Sequence, residues 1–286
     1  MPILELCAGY GGLGMAVEAL TGDRVAYVAE VDEAACKVLA LRYPDAPNIG
    51  DITAYDWTKL RGDVDVVTAG WPCTDISNAG PKLGLDGERS GIWRNVADAV
   101  RVLRPRLVFL ENVRAILRRG LPTVLGDLAG VGYDVRWMCL PQSAVRGPSE
   151  RYRWFALASP ADGDGVGWAG RSGDVGQAQG RDESPDGYSP AVWWGEYAAA
   201  VRRWEDELGR PAPFPGRRGP RGGWRPSPYV TEWQQGLPAG WITDVPGITP
   251  DEMVTLAGNG VCPQQAATAY ELLHQHEAHT EENAHE

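Results

Sequence analysis

The chain has 286 residues, 43% of them hydrophobic, and a formal net charge of −11. That length holds one large domain or two unequal ones around a sizeable core. No stretch is apolar for long enough to cross a membrane, and the N-terminus lacks a charged region leading into an apolar one, so export is not expected.

The five cysteines (Cys7, Cys36, Cys73, Cys139 and Cys262) are odd in number and form no C-x-x-C pair, which favours a reduced, cytoplasmic setting over a disulfide framework. The acidic balance argues against a nucleic-acid partner only until its distribution is read. Thr231 to Glu286 carries nine acids and no Lys or Arg, whereas Gly209 to Pro226 carries five arginines (Arg210, Arg217, Arg218, Arg221 and Arg225) and no acid. A basic face on an acidic body still binds phosphates. Arg suits bidentate phosphate or guanine contacts, although GC-rich coding gives the same excess of 24 Arg over 3 Lys and is the simpler cause.

Pro2 to Cys7 is a short apolar strand, Ala8 to Gly14 a glycine-rich turn, and Met15 to Leu20 opens a helix. This order lets a ligand approach the backbone and a helix N-terminus. A second strand, Val25 to Ala29, ends in Glu30-Val31-Asp32, and a helix follows over Glu33 to Arg42. An acid at the end of the second strand, about 20 residues beyond the glycines, is where nucleotide-binding α/β folds hold a ribose. Gly50 to Thr53 is a strand end or loop.

The apolar run Val64 to Ala69 leads into Gly70-Trp71-Pro72-Cys73. Pro72 stiffens the backbone before a thiol at the carboxyl end of a strand, where open α/β sheets bind ligands, so Cys73 is a candidate nucleophile. A small buried hydrophobe is the alternative reading for any single cysteine. A helix with Ser90 as N-cap runs to Leu103, Pro105 ends it, and Leu107 to Leu110 is a buried strand running into Glu111-Asn112-Val113. A helix over Leu121 to Gly130 and strands over Tyr133 to Leu140 and Arg153 to Ala158 complete a doubly wound α/β pattern.

After Ser159 the composition changes. Residues 160–190 are rich in Gly, Asp, Ser and Pro and read as a connection. A helix with Trp193, Trp194, Tyr197, Val201 and Trp204 follows, its aromatic stripe best explained as core packing. The segment 209–226 reads as loop, Leu237 to Trp241 as turns, and Leu256 to Pro263 as the lead into a last helix over Gln264 to Leu273. The four histidines beyond it belong to a frayed, solvated tail, and no metal is expected.

Taken together, these blocks resemble the C5-cytosine DNA methyltransferases, in order along nearly the whole chain. Leu6-Cys7-Ala8-Gly9-Tyr10-Gly11-Gly12 is similar to that family's cofactor loop, with Cys7 where Phe is usual. The resemblance puts Glu30, Val31, Asp51 and Ile52 at S-adenosylmethionine contacts and Pro72-Cys73 at the catalytic dipeptide. Glu111 falls in the Glu-Asn-Val block, and Arg151 and Arg153 are the arginines of a Gln-x-Arg-x-Arg motif. Asn259 and Val261 lie in the block that closes beside the cofactor loop. It implies a Rossmann-like, mostly parallel sheet over 1–160 plus 248–286 and a small irregular target-recognition region over 161–247. Double-stranded DNA is the implied partner, contacted by Ser77, Arg217, Arg218, Arg221 and Arg225. Thr74, Ile76 and Ser149 depart from the family's usual Gln, Phe and Gln.

The implied reaction is addition of the Cys73 thiolate to C6 of a flipped-out cytosine, with Glu111 at N3 and Arg151 and Arg153 compensating charge near O2, followed by methylation at C5. Three rival readings stand beside it: an RNA cytosine methyltransferase, a DNA-binding relative without catalysis, and an NAD-dependent dehydrogenase. The last does not explain Cys73, Glu111 and the arginine pair together. The resemblance leaves open whether the enzyme accompanies a restriction endonuclease, serves a phage or works alone. A monomer is the default expectation.

Overall fold

The computed structural model describes residues 1–72, 91–161 and 193–282. Short apolar runs recur along its first 160 residues, and each is a strand: β1 (Pro2–Leu6), β2 (Arg24–Ala29), β3 (Val66–Ala69), β4 (Leu107–Val113), β5 (Tyr133–Pro141) and β6 (Tyr152–Pro160). They form one sheet in the order β2-β1-β3-β4-β6-β5. β1, β2, β3 and β4 pair in parallel, and β6 lies antiparallel between β4 and β5. The sheet is covered on both faces, so its central strands are apolar throughout; all four residues of β3 are buried.

Alternation along β1 divides the core. Leu4 and Leu6 face a cluster with Trp93, Val96 and Val100 of α3 (Ile92–Leu103) and Val124 and Leu128 of α5 (Leu121–Gly130). Ile3 faces the opposite cluster, with Val17 and Leu20 of α1 (Gly12–Thr21) and Ala266, Ala269 and Tyr270 of the last helix. Between α1 and α3 lies α2 (Glu33–Arg42), capped by the Asp32 side chain on the Ala35 N–H at 2.9 Å. A single turn, α4 (Ile116–Arg119), precedes α5. Arg104 ends α3 in the left-handed region, just before Pro105.

Several boundaries differ from the sequence reading. α1 starts at Gly12 rather than Met15, because Gly11 at φ 86° turns the chain directly into the helix. α3 starts after Gly91 with no side-chain cap, and Ser90 lies outside the described residues. Segment 209–226 contains a hairpin, β7 (Gly216–Arg218) and β8 (Trp224–Pro226), where a loop was expected.

The segment after 190 holds α6 (Ala198–Leu208), then two helices that the sequence reading left out, α7 (Pro228–Gln234) and α8 (Pro250–Asn259). α8 has a full start signal: Thr249 and Glu252 form a capping box around Pro250. The last helix, α9, runs from Pro263 to Glu282, well into the stretch expected to fray.

Val201, Trp204, Val230 and Trp233 make a small separate cluster. Leu237, Ile242, Val245 and Ile248 pack instead on Tyr10, Met15, Ala34 and Val38 of the first 40 residues. Among the described residues no helix is long and apolar enough to cross a membrane, and no group of His, Cys, Asp and Glu is gathered to hold a metal ion.

Candidate active site

Strand order reverses between β1 and β3: from β1 the chain crosses to β2 on one side, and from β3 to β4 on the other. The carboxyl ends of two such strands splay their loops apart and leave a crevice. A cleft of about 710 Å³ opens there, lined from the β1 loop by Cys7, Ala8, Gly9, Tyr10 and Gly12. That volume falls within the range of small-molecule sites.

The glycine loop is held by one carboxylate. Glu30 accepts the Gly9 N–H at 2.8 Å on one oxygen, and those of Val31 and Asp32 at 2.8 and 2.9 Å on the other. Asn48 then fixes the Glu30 backbone through two hydrogen bonds of 3.0 Å. Glu30, Val31, Asp51 and Ile52 all line the cleft, Ile52 buried and Asp51 in water. Hydrogen bonds from Thr53 hold the Asp51 carboxyl below its usual range.

The closing block meets the loop at van der Waals distance. Tyr10, fully buried, donates its hydroxyl to the Val261 carbonyl at 2.6 Å, and Trp241 donates to the Tyr10 carbonyl at 2.9 Å. A Cβ on Gly12 would lie 2.9 Å from the Val261 carbonyl, and one on Gly260 2.0 Å from the Tyr10 ring. Gly258, Asn259, Gly260 and Val261 thereby form one wall, continued by Glu252, Thr255 and Leu256 of α8.

At the other end stands Glu111, buried at the end of β4, with Arg153 from β6 paired to it at 2.8 Å. Burial pushes the Glu111 carboxyl up, with Arg153 and Arg151 opposing. A Cβ on Gly70 would come 3.2 Å from the Glu111 carboxylate, so the end of β3 adjoins it. Asn112 donates to the Trp71 carbonyl at 3.2 Å and ties down the backbone entering Pro72, which lines the cleft. Trp71 itself is anchored against Trp93 and Trp154, with ring centroids 4.8 and 6.3 Å away.

Other candidates fall elsewhere. Cys73 and Ser77 lie outside the described residues. Leu6 is core and Gly11 caps α1; neither lines the cleft. Arg151 does not line it either: its guanidinium donates to the Gly258 and Gly260 carbonyls at 2.8 and 2.6 Å. Its donors hold the closing block, which forms one wall of the cleft. Arg217, Arg218, Arg221 and Arg225 sit on or between β7 and β8, and Arg217 and Arg225 both pair with Asp251. Ser149 bonds to Gln142 at 2.6 Å, so a buried glutamine still serves that corner of the fold.

Glu5 went unnoticed in the sequence. It is fully buried in β1, lines the cleft, and accepts the Leu13 N–H at 3.1 Å, with its second oxygen against Gly14 at the start of α1. Burial raises it to about 8. The signal was available, since an acid in the middle of Pro2–Leu6 breaks an otherwise apolar strand.

A family model for C-5 cytosine-specific DNA methylases matches residues 1–166, more than half of the chain. The chain belongs to the C-5 cytosine-specific DNA methylase family. Within it, type II methyltransferase M.CviJI of Paramecium bursaria Chlorella virus IL3A is 32% identical over 160 residues, 56% of this chain and 43% of the relative. M.Eco47II of Escherichia coli is 35% identical over 138 residues, 46% of this chain and 33% of the relative. The matched stretches thus span less than half of these relatives. The solved structure of S. pombe Dnmt2 methyltransferase aligns over 96% of this chain and 98% of its own, with a TM-score of 0.66 and 16% identity. The methyltransferase EhMeth of Entamoeba histolytica aligns over 96% and 97%, at 0.65 and 13%. At these identities the two structures establish a shared fold for the family member described here.

Proposed function

We propose that this chain transfers a methyl group from S-adenosylmethionine to C5 of a cytosine turned out of double-stranded DNA. The observation that carries the reading is the buried Glu111–Arg153 pair, set in the same cleft as the glycine loop and next to the strand end that leads to Cys73. The catalytic domain is assigned to 1–160 plus 248–286, and the target-recognition region to 161–247.

The cleft suits a cationic cofactor. Among its described lining residues carboxylates outnumber cations seven to one, Arg153 being the cation. Glu5, raised to about 8 by burial, takes up its charge more readily beside a positive group. Gly9, Glu30, Val31, Asp51, Ile52, Pro72, Asn259 and Val261 would hold S-adenosylmethionine, which supplies an electrophilic methyl group when bound.

The chain's own residues activate the base. Cytosine C5 is a weak nucleophile, so the Cys73 thiolate adds to C6, forming a C–S bond and placing electron density on C5 and on the N3–O2 edge. Glu111, its carboxyl raised by burial, holds a proton for N3, and Arg153 donates to the developing charge at O2. Once C5 carries the methyl group, loss of its proton restores the ring double bond and expels the thiolate. Burial raises the thiols of Cys7, Cys36, Cys139 and Cys262, Cys7 to about 12, so none of the described cysteines competes with Cys73 as a ready thiolate.

The test is transfer of labelled methyl to unmethylated duplex DNA by the wild type and by Cys73→Ala, with digestion to identify the base. Label in 5-methylcytosine, abolished by the substitution, supports the reading. Label on RNA alone, or on another base, overturns it.

A further inference from the structure

The β7–β8 hairpin sorts the basic segment into two sets. Its register opposes Arg217 to Arg225 and Arg218 to Trp224. Successive residues of a strand point to opposite faces, so the two pairs look in opposite directions. On one face Arg217 and Arg225 engage the two carboxylate oxygens of Asp251, Arg225 at 2.9 Å. Asp251 belongs to α8, whose next residue, Glu252, lines the cleft. These two arginines brace the hairpin to the cleft wall.

On the other face the Arg218 guanidinium lies 4.4 Å over the Trp224 ring and bonds the Gly222 carbonyl at 2.8 Å, which keeps it flat on the indole. Trp224 meets Phe214 and Trp193 edge-on, with centroids 5.6 and 6.4 Å apart. A Cβ on Gly216 would lie 2.8 Å from the Trp224 ring, so glycine there lets the indole lie across the strand. The cluster is nevertheless left in water, with Trp224 55% and Trp193 47% exposed. A rigid aromatic plate with an ordered cation on top is an interaction surface rather than a core.

We propose that this Arg218–Trp224 face, with the exposed Arg221 of the turn, is where the chain grips duplex DNA, and that Arg217 and Arg225 carry no phosphate themselves. The inference rests on the methylation reading of the cleft and names the surface that presents the substrate to it. Charge supports the choice of partner, since Arg218 and Arg221 stand on this face and Gly209–Pro226 holds no acid. The chemistry fits as well: the guanidinium meets a phosphate or guanine edge, and the indole covers sugar or thymine-methyl surface.

The experiment is fluorescence anisotropy of the full chain with a labelled mixed-sequence duplex across a salt series, for wild type, Trp224→Ala, Arg218→Gln and Arg217→Gln. Trp224→Ala is expected to raise Kd about tenfold. Arg218→Gln is expected to make the slope of log K against log salt shallower by about 0.9, one phosphate contact, while Arg217→Gln leaves the slope unchanged. An unchanged slope in Arg218→Gln overturns the proposal whatever Trp224→Ala does, because an exposed side chain on a surface strand is not needed for folding. Trp224-dependent binding of RNA without binding of duplex DNA overturns it too. Duplex binding that depends on Trp224 and Arg218, in a protein that transfers no methyl group, would sink the methylation reading and leave this surface standing.

Discussion

Gly260→Ala isolates the contact between the two ends of the chain. Gly260 sits at φ −78°, ψ −174°, which alanine adopts freely, so the substitution adds a methyl group and no backbone strain. That methyl group would lie 2.0, 2.3 and 2.6 Å from three atoms of Tyr10. The ring has nowhere to go: it is 1% exposed and its hydroxyl is bonded to the Val261 carbonyl at 2.6 Å. Overpacking of this kind costs about 1–3 kcal/mol, and loss of the hydroxyl's hydrogen bond adds about 1 kcal/mol. Alanine's smaller unfolded-state entropy returns about 0.4–1 kcal/mol. The net loss of about 1–3.5 kcal/mol lowers Tm by about 2–14 °C for a chain of this size. Because Tyr10 and residues 258–261 are walls of the cleft, affinity for S-adenosylhomocysteine should fall about tenfold or more, read by calorimetry. In a Tyr10→Ala background, where the obstructing ring is gone, the same substitution should cost almost nothing. Unchanged Tm and unchanged affinity in Gly260→Ala alone would refute the interlock.

Glu5→Gln tests the buried acid. Burial raises Glu5 from 4.5 in the unfolded chain to about 8 in the fold, so the folded state binds the extra proton between those values. Stability of the free protein therefore falls as pH rises from about 5 to about 8, and the glutamine variant loses that decline. Thermal scans at pH 6 and pH 8.5 should show a wild-type drop of several degrees that the variant lacks, with cofactor affinity weakened about tenfold in the variant. Arg151→Met removes the donors to the Gly258 and Gly260 carbonyls and should raise KM for S-adenosylmethionine severalfold while KM for DNA stays within about twofold. A rise in the DNA term alone would return Arg151 to the base-binding role.

The doubly wound half was legible because its signals are local. Apolar β-branched runs, a glycine turn at Gly9 to Gly12 and Pro105 each act within a few residues, and Glu33–Arg42 and Leu121–Gly130 lie where the pattern put them. The glycine loop, Glu30, Pro72 and Glu111 could be grouped because parallel strands deliver their carboxyl ends to one edge, whereas Arg153, at the start of the antiparallel β6, was placed by the family resemblance. Glu5 was missed since hydrophobic periodicity gives no account of a charge whose partner is a helix N-terminus eight residues on. The two faces of the hairpin were missed for a different reason: Arg217 and Arg218 are neighbours in sequence, and only the strand register separates them. α8 was legible after all, for Thr249-Pro250-Asp251-Glu252 is a complete capping box, obscured by Gly258 in its last turn and Gly260 at its end.

Arg151 and Arg153 show how two residues of one type, two positions apart, divide a task. Arg151 stands just before β6 and Arg153 is its second residue, and their guanidinium groups take different partners. From there Arg153 reaches Glu111 at 2.8 Å and Arg151 reaches the 258–260 carbonyls. Gln265 of α9 bonds the Arg151 carbonyl at 2.9 Å and the Leu140 carbonyl at 2.8 Å, so the same short stretch is gripped from behind by the last helix. The carboxyl proposed to meet the base and the wall proposed to meet the cofactor therefore share one support. The contacts of Arg151 and Arg153 thus tie Glu111 and Gly260, far apart in the chain, to one short stretch.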